Sequence, residues 1–501
     1  MGIKKYIATK DNTITNAYGI DLSTRATGSN MGASDILETF SIYGLQTTSS
    51  VELSRILVEF PVDDISSDRS SGKIPDSGSV NFYLRVFNAR HSEQLPENFT
   101  VNVLAVSQSW QEGSGLDMET YKDETKEKIE GSNWINRLSA SAWTKIGGDY
   151  HSSSYVAGET MPNYTFTFEN GYEDMLLDVT SAVEEWLTGT QDNNGFGIFL
   201  TSSQEGYASN SSGQDEDNVI HNPSGQEKSY YTKRFFSRSS EFFFKRPAIE
   251  ARWDSRVTDD RGNFYSSSSI APASDNLNNL FLYNYIRGRL VDIPHTETLT
   301  VNLYDSSDDV PTGSILTSAT ATKTSTGVYK AELSINTTAS LIHDVWSGSI
   351  GGEYKTGSIS VKNFNDSSVL VSNDYNQYVT KITNLKPRYS KEEIARFRVF
   401  TRPRNFSPTI YTVASTDIEN VTIPSASYEV IRMADERTII NNSTGSTTYH
   451  TYLSYDASGS YFDLDMSLLE PGYMYGIKFA FHSSEDWREQ EEVFKFRVED
   501  N

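Results

Sequence analysis

A chain of 501 residues is too long for one compact core and divides into about three domains at the usual domain size. Its net charge of −24 repels phosphate, which excludes direct binding to nucleic acid and disfavours docking on anionic lipid. The absence of cysteine excludes disulfides and thiolate metal sites, and no apolar run approaches the roughly 18–20 residues that span a bilayer, so no membrane insertion is expected.

The N-terminus, MGIKKYIATKDNT, has no apolar leader-like stretch. Residues 1–34 are polar and rich in Gly, Asn and Thr, and read as a lead-in or docking segment with one short strand. Strand then follows strand: LETFSIYG, SRILVEFPV, VNFYLRVF and FTVNVLAVS alternate apolar and polar residues over part of their length. In the second of these, Ile56, Val58 and Phe60 share one face and Leu57 and Glu59 the other, and Pro61 suits a strand end. Residues 116–134 break the pattern with mixed charges, among them Glu124 and Lys128 at helical spacing and the like-charged Glu119 and Asp123. A short exposed helix or a long loop is expected there.

DVTSAVEEWLTG is the one conspicuous helix. Asp178 or Thr180 can cap its start, Ser181 and Glu184 offer capping chemistry, Val179, Val183, Trp186 and Leu187 recur at helical spacing, and Gly189 closes it. GFGIFL returns as a buried strand, and residues 202–228 form a long polar loop, a length expected to be functional or mobile. The last strands of this block reach residue 254. Residues 255–276 read as a Ser-rich linker, followed by two blocks of short strands at 277–385 and 386–501, each expected to be an immunoglobulin-like β-sandwich. The whole is all-β.

Residues 10 to 254 resemble the DNRLRE-domain family. The likeness is carried, in order, by KDNTITNA with NMGASDILETF, by SRILVEFPVDDI, by VSQSWQEGSG, by SNWINRLSASAWTKIGGDY, by LLDVTSAVEEWLTGTQDNNGFGIFL and by RPAIEARW. The chain departs from the family in the charged insertion near 116–130 and in the loop at 202–228. The resemblance implies a jelly-roll-like β-sandwich over residues 35–254, of the kind found on bacterial surface proteins and in the structural proteins of tailed-phage virions. It implies a role in a neck, collar, tail, baseplate or capsid surface, with other virion proteins and copies of the chain itself as partners. Localisation is then the virion, assembled in the host cytoplasm. A surface adhesin or carbohydrate-binding module, which would bind a host-surface glycan, is the alternative, and a glycan-degrading enzyme a distant third.

In residue terms the family motifs read as scaffold. Trp110, Trp134, Trp143 and Trp186 are large apolar bodies with one N–H each, expected with Phe60, Val183 and Leu187 in the core, where the tryptophans plug one end of the sandwich under the helix. Gly147, Gly148 and Gly195 supply turns. A sugar-stacking platform built from these tryptophans is the rival reading.

No catalytic constellation is legible. His91, His151, His221, His295, His343, His450 and His482 stand alone, and no metalloprotease, nucleophile-elbow or phosphate-loop motif occurs. The adjacent carboxylates Asp63–Asp64 and Glu184–Glu185 diverge on a strand or a helix, so neither pair converges as glycoside hydrolysis requires. The chain is therefore expected not to be an enzyme and to carry no cofactor. Asp215, Glu216 and Asp217 in GQDEDN are weak candidates for a structural Ca²⁺, without EF-hand spacing; solvation or pairing with a basic neighbouring subunit is the competing expectation.

Overall fold

Alternation along β3 (Ile36–Tyr43) and β6 (Phe99–Ala105) translates directly into alternating burial, because each strand lays one face on a core. The computed structural model describes residues 2–43, 51–91, 95–119, 130–151, 161–293, 298–305, 314–348, 353–362, 378–404, 420–444, 449–483 and 486–500. The chain forms two units, one of Ile3–Trp253 and one built on Asp254–Asn501.

The first unit adds to β3 and β6 the strands β1 (Ile3–Ile7), β2 (Lys10–Thr15), β4 (Glu52–Glu59), β5 (Val80–Val86), β7 (Asn136–Leu138), β8 (Ser141–Ala142), β9 (Tyr164–Phe168), β10 (Met175–Asp178), β11 (Phe196–Leu200), β12 (Ser229–Phe236) and β13 (Ala248–Trp253). One sheet runs β1-β13-β5-β10, and the other runs β12-β3-β4-β11-β6-β9 with β2 also on β4. Without β2, β3, β12 and the β7–β8 hairpin, the remaining strands interleave as β1-β13-β5-β10 against β4-β11-β6-β9, the strand order of a jelly roll. Residues 3–15 are therefore integral strands of the sandwich and not a lead-in: β1 pairs with β13 and β2 with β4.

Two cores flank the larger sheet. Ile56, Val58 and Phe60 point between the sheets, with Phe82, Val101, Val183, Trp186 and Phe196. Leu53 and Leu57 point the other way, into a second cluster with Trp110, Trp134 and Trp143. The tryptophans are thus divided, one between the sheets and three behind the larger one, rather than gathered at one end.

Two α-helices occur among the described residues. The expected one is α2 (Thr180–Thr188): the Asp178 carboxylate accepts from the Thr180 N–H at 2.9 Å, and Gly189 ends the helix in the left-handed region at φ 71°. The other, α1 (Val62–Ser70), begins directly after the strand end at Pro61 and is not expected from the sequence. Asp63 and Asp64 lie in its first turn, where the helix dipole favours negative charge, and Arg69 in its last. Arg69 clamps the two helices together with a two-pronged ion pair to Glu184, at 2.9 and 2.6 Å.

The second unit contains two sandwiches. In the first, the bent strand Ile315–Ser325 pairs with Leu299–Tyr304 along its first part and with Val328–Leu333 along its last, so one strand serves both layers. Its core holds Leu280, Val301, Leu303, Ile342, Trp346 and Ile359. The second sandwich sets a four-stranded sheet against a six-stranded one. Rings pack between them, Tyr428 on Phe462 at 4.2 Å and Phe397 on Phe462 at 5.1 Å. All three sandwiches are thus β-structures of jelly-roll or immunoglobulin-like kind.

Residues 255–276 are not a free linker. Phe264–Tyr265 forms a parallel strand beside Val361–Lys362 with Phe264 fully buried, and the Asp259 N–H donates to the Tyr455 carbonyl at 3.0 Å. Of the charged insertion, residues 120–129, with Asp123, Glu124 and Lys128, lie outside the described residues.

Candidate functional site

The larger sheet of the first unit carries a charge where its pattern calls for an apolar side chain. Positions 53, 55 and 57 of β4 face the tryptophan cluster, and 55 is an arginine. Arg55 is 8% exposed. Its guanidinium lies 4.3 Å from the Phe199 ring centre and 5.7 Å from those of Trp134 and Tyr150. One Nη donates to the Gly147 carbonyl at 3.2 Å, and the other stands 3.5 Å from the buried Glu205 carboxylate. Burial pushes the Glu205 carboxyl up, and Arg55 opposes that rise.

Beside Arg55 opens a pocket of about 260 Å³ with Lys145, Asp149, Tyr150, Phe199 and His221 on its wall. That is below the roughly 300–1,000 Å³ usual for ligand sites. Asp149 accepts from the N–H groups of Thr144 at 2.7 Å and Lys145 at 3.0 Å and from the Gln108 amide at 2.9 Å. Tyr150 donates to the Gly147 carbonyl at 2.8 Å, and burial pushes its phenol up to about 12. The His221 Nδ1 is buried with no hydrogen-bond partner. The recess has room for a small polar molecule, but among the described residues it offers no nucleophile bonded to a base and no pair of free, facing carboxylates.

Of the candidates read from the sequence, Gly148 and Asp215 border this recess, and the tryptophans lie in the cores on the two faces of the larger sheet. Trp110, Trp134 and Trp143 donate their indole N–H groups to the carbonyls of Asn194, Asn218 and Asn133 at 2.9, 3.1 and 2.9 Å. Trp186 packs on Phe196 at 4.8 Å, with Phe60 and Val183 fully in the same core and Leu187 half-buried against it. None of the four tryptophans is more than 5% exposed, so they form no sugar platform. Gly147, Gly148 and Gly195 sit at φ 80°, 101° and 78°. A Cβ on Gly195 would lie 2.0 Å from the Val58 carbonyl oxygen. Gly195→Ala is expected to cost more than the roughly 1–2 kcal/mol of a left-handed alanine, read as a lowered melting temperature of the first unit.

The loop at 202–228 is organised rather than loose. Bridges Gly206–Gln226, Ala208–Asn222 and Glu216–Val219 fold it back on itself, and Ala208 and Val219 enter the tryptophan cluster. Asp215, Glu216 and Asp217 are exposed there and do not converge: Asp215 accepts from the His221 N–H at 2.7 Å, and Asp217 turns the chain at φ 52°. Among the described residues no three His, Asp or Glu side chains gather to hold an ion. Asp63 and Asp64 are exposed on α1, and Glu184 is held by Arg69.

No protein-family profile matches the chain, and no curated protein matches it. Among solved structures, it is similar to the Yersinia pseudotuberculosis adhesin InvE at 14% identity and a TM-score of 0.15, over 47% of this chain and 56% of that one. The chain therefore spans little more than half the adhesin's length. It is similar to the chicken CNTN1 FN1–FN3 domains at 9% identity and a TM-score of 0.15, over 55% of this chain and 83% of that one. A Legionella pneumophila DUF4785 family protein matches at 9% identity and a TM-score of 0.14, over 93% of this chain and 90% of that one. Likenesses this weak carry no functional argument.

Proposed function

We propose that this chain is a non-enzymatic structural component of a tailed-phage virion, built into the particle by protein–protein contact and present there in several copies. The observation that carries the reading is the use made of its reactive-looking groups. Three tryptophan N–H groups end on backbone carbonyls, and the buried Arg55 and Glu205, like Arg252 and Glu250, pair with one another. The motif likeness over residues 10–254 to the DNRLRE-domain family supplies the virion context, and no helix among the described residues is long and apolar enough to cross a membrane.

Sedimentation of a lysate through a sucrose gradient, probed for this chain, tests the proposal. The chain is expected to travel with intact particles. Recovery only in the soluble top fractions, or turnover of a glycan by the purified chain, would overturn it. The Arg55 recess favours a second reading, an adhesin that holds one small polar group such as a single sugar. Saturation-transfer NMR with monosaccharides checks that reading: signal lost on Lys145→Ala supports it, and no signal for any sugar removes it.

A further inference from the structure

The first sandwich of the second unit carries a projecting finger. After the strand Asn278–Tyr283 the chain forms a two-residue hairpin, Tyr285–Ile286 against Arg289–Leu290, turned by Arg287 at φ 51° and Gly288 at φ 77°. Two left-handed residues in succession make the tight turn that matches strand twist, so the tip is stiff. Its base is tied down: the Asn284 side chain donates to the Val291 carbonyl at 2.7 Å, and the Asn284 N–H to the Gly327 carbonyl at 2.8 Å. Every residue from 285 to 291 is exposed. Tyr285 is 57% and Ile286 49% exposed, with Leu290 and Val291 close behind. Tyr285 and Leu290 share one face of this hairpin and Ile286 and Arg289 the other, so both faces of a rigid tip carry exposed apolar surface and mark a contact element. Two arginines lie between these apolar residues, and no acid lies between 284 and 291, on a chain whose net charge is −24.

The first unit carries a recess of matching character. It has a volume of about 490 Å³, and Ile20, Asp21, Met118 and Glu119 line it. Ile20 is 85% exposed. The Glu119 carboxylate is fixed by the Ile20 N–H at 2.7 Å, and Asp21 by the N–H groups of Ser23 and Thr24 at 3.0 and 2.9 Å. Arg25 also borders the recess, but its guanidinium lies over the Tyr18 ring and donates to the Asn16 and Val51 carbonyls. Two carboxylates and two apolar side chains thus face outward in one concavity.

We propose that the finger of one copy seats in this recess of a second copy, Ile286 and Leu290 against Ile20 and Met118, and Arg287 and Arg289 against Asp21 and Glu119. Charge complementarity selects the partner: a basic apolar knob needs an acidic apolar hole, and the chain itself supplies one. The contact joins two different surfaces, so it either closes as a reciprocal two-fold pair or repeats head to tail into a ring or a filament. The inference rests on the assembly reading above and gives that reading one of its interfaces.

Sedimentation velocity of the full chain at low and high salt is the test. Oligomers that grow with concentration and weaken with salt are expected. Arg289→Glu or Glu119→Arg, both at exposed positions, is expected to weaken association by about tenfold or more with the melting curve unchanged. Mixing these two variants puts an acidic finger opposite a basic recess and is expected to restore pairing. Ile286→Lys, which removes apolar contact and leaves both arginines, should weaken association as well. A chain that stays monomeric at every concentration, or oligomers indifferent to Arg289→Glu, would overturn the proposal. A monomer that still travels with particles sinks this contact alone; an oligomer absent from particles sinks the virion reading alone.

Discussion

Replacing Glu250 by glutamine is expected to remove about 3–5 kcal/mol of stability from the first unit, the usual loss when one partner of a buried ion cluster is deleted. Glu250 sits mid-strand on β13 with its side chain wholly buried. Arg85 reaches it at 3.0 Å, Lys5 at 3.4 Å, and the Arg252 Nε at 3.1 Å. Burial pushes this carboxyl up, but the three cations together outweigh burial and hold it well below the ordinary carboxylate range. Without it, three cations on β1, β5 and β13 face one another around a neutral amide. The glutamine keeps the shape, so the loss isolates the charge. Its folded pKa is depressed, so its contribution is complete above the unfolded value near 4.5. It is lost progressively as pH falls from there through the much lower folded value. The margin of wild type over the variant, which has no carboxyl to protonate, is therefore expected to narrow steadily as pH falls below about 4.5. Thermal melts followed by tryptophan fluorescence report mainly on the first unit, which holds Trp110, Trp134, Trp143, Trp186 and Trp253 against Trp346 and Trp487 in the second. An unchanged transition for Glu250→Gln would mean the cluster contributes nothing net.

How far the fold could be read in advance depended on whether one face of an element meets water. β3 and β6 each have one wetter face, and their alternation is plain in the sequence. β4 is covered on both faces, by the inter-sheet core and by the tryptophan cluster, so its apolar run ILV cannot say which side is which. α1 was hidden for a different reason. Only two apolar residues, Val62 and Ile65, face inward along nine residues rich in Ser and Asp, and the third buried position is Asp68, so no apolar helical period shows. The stretch 255–276 looked like a linker because polar composition was taken for solvent exposure. Its polar groups instead bond to neighbouring strands, as when the Tyr265 N–H donates to Asn278 and the Val257 N–H to Ser454.

The same confusion of charge with exposure hid the recess. Asp215, Glu216 and Asp217 drew attention as a cluster, yet they lie exposed on a turn, while Arg55, Glu205 and Glu250 are among the charges that folding places inside. One signal was present. Arg55 falls between Leu53 and Leu57 at the spacing of a single strand face, and a charge on an apolar face has to find partners or rings. The partners, Phe199 and Glu205, lie about 150 residues further along, at a separation no local pattern reaches.

Lys233 follows that rule and yields the second large effect, visible as a pH dependence. On β12 it occupies an inward position two before Phe235 and is fully buried. Its ammonium donates to the Asn88 side-chain oxygen at 2.8 Å, the Gly171 carbonyl at 2.7 Å and the Glu173 carbonyl at 2.8 Å. The Phe168 ring centre lies 4.3 Å away. All three acceptors are neutral, so burial dominates and brings the lysine down to about 8, although Glu173 and Asp174 pull the other way. Between about 8 and 10.5 the unfolded chain holds this proton and the folded chain does not. Stability from this group is therefore fully present above 10.5 and lost as pH falls towards 8, a change of about 3 kcal/mol. Above pH 10 a contrary effect enters, because Tyr6 and Tyr150 of the same unit resist ionisation that the unfolded chain permits. The lysine is therefore read as the difference between wild type and Lys233→Met across pH 8 to 9.5. Wild type is expected to gain on the variant as pH rises through that window. The variant should also be less stable at pH 7, since methionine leaves three acceptors without a donor at about 1–3 kcal/mol each and recovers only the cost of the buried charge. Parallel pH profiles for the two proteins would show that Lys233 keeps an ordinary affinity for its proton and that the three carbonyl oxygens do not enclose it.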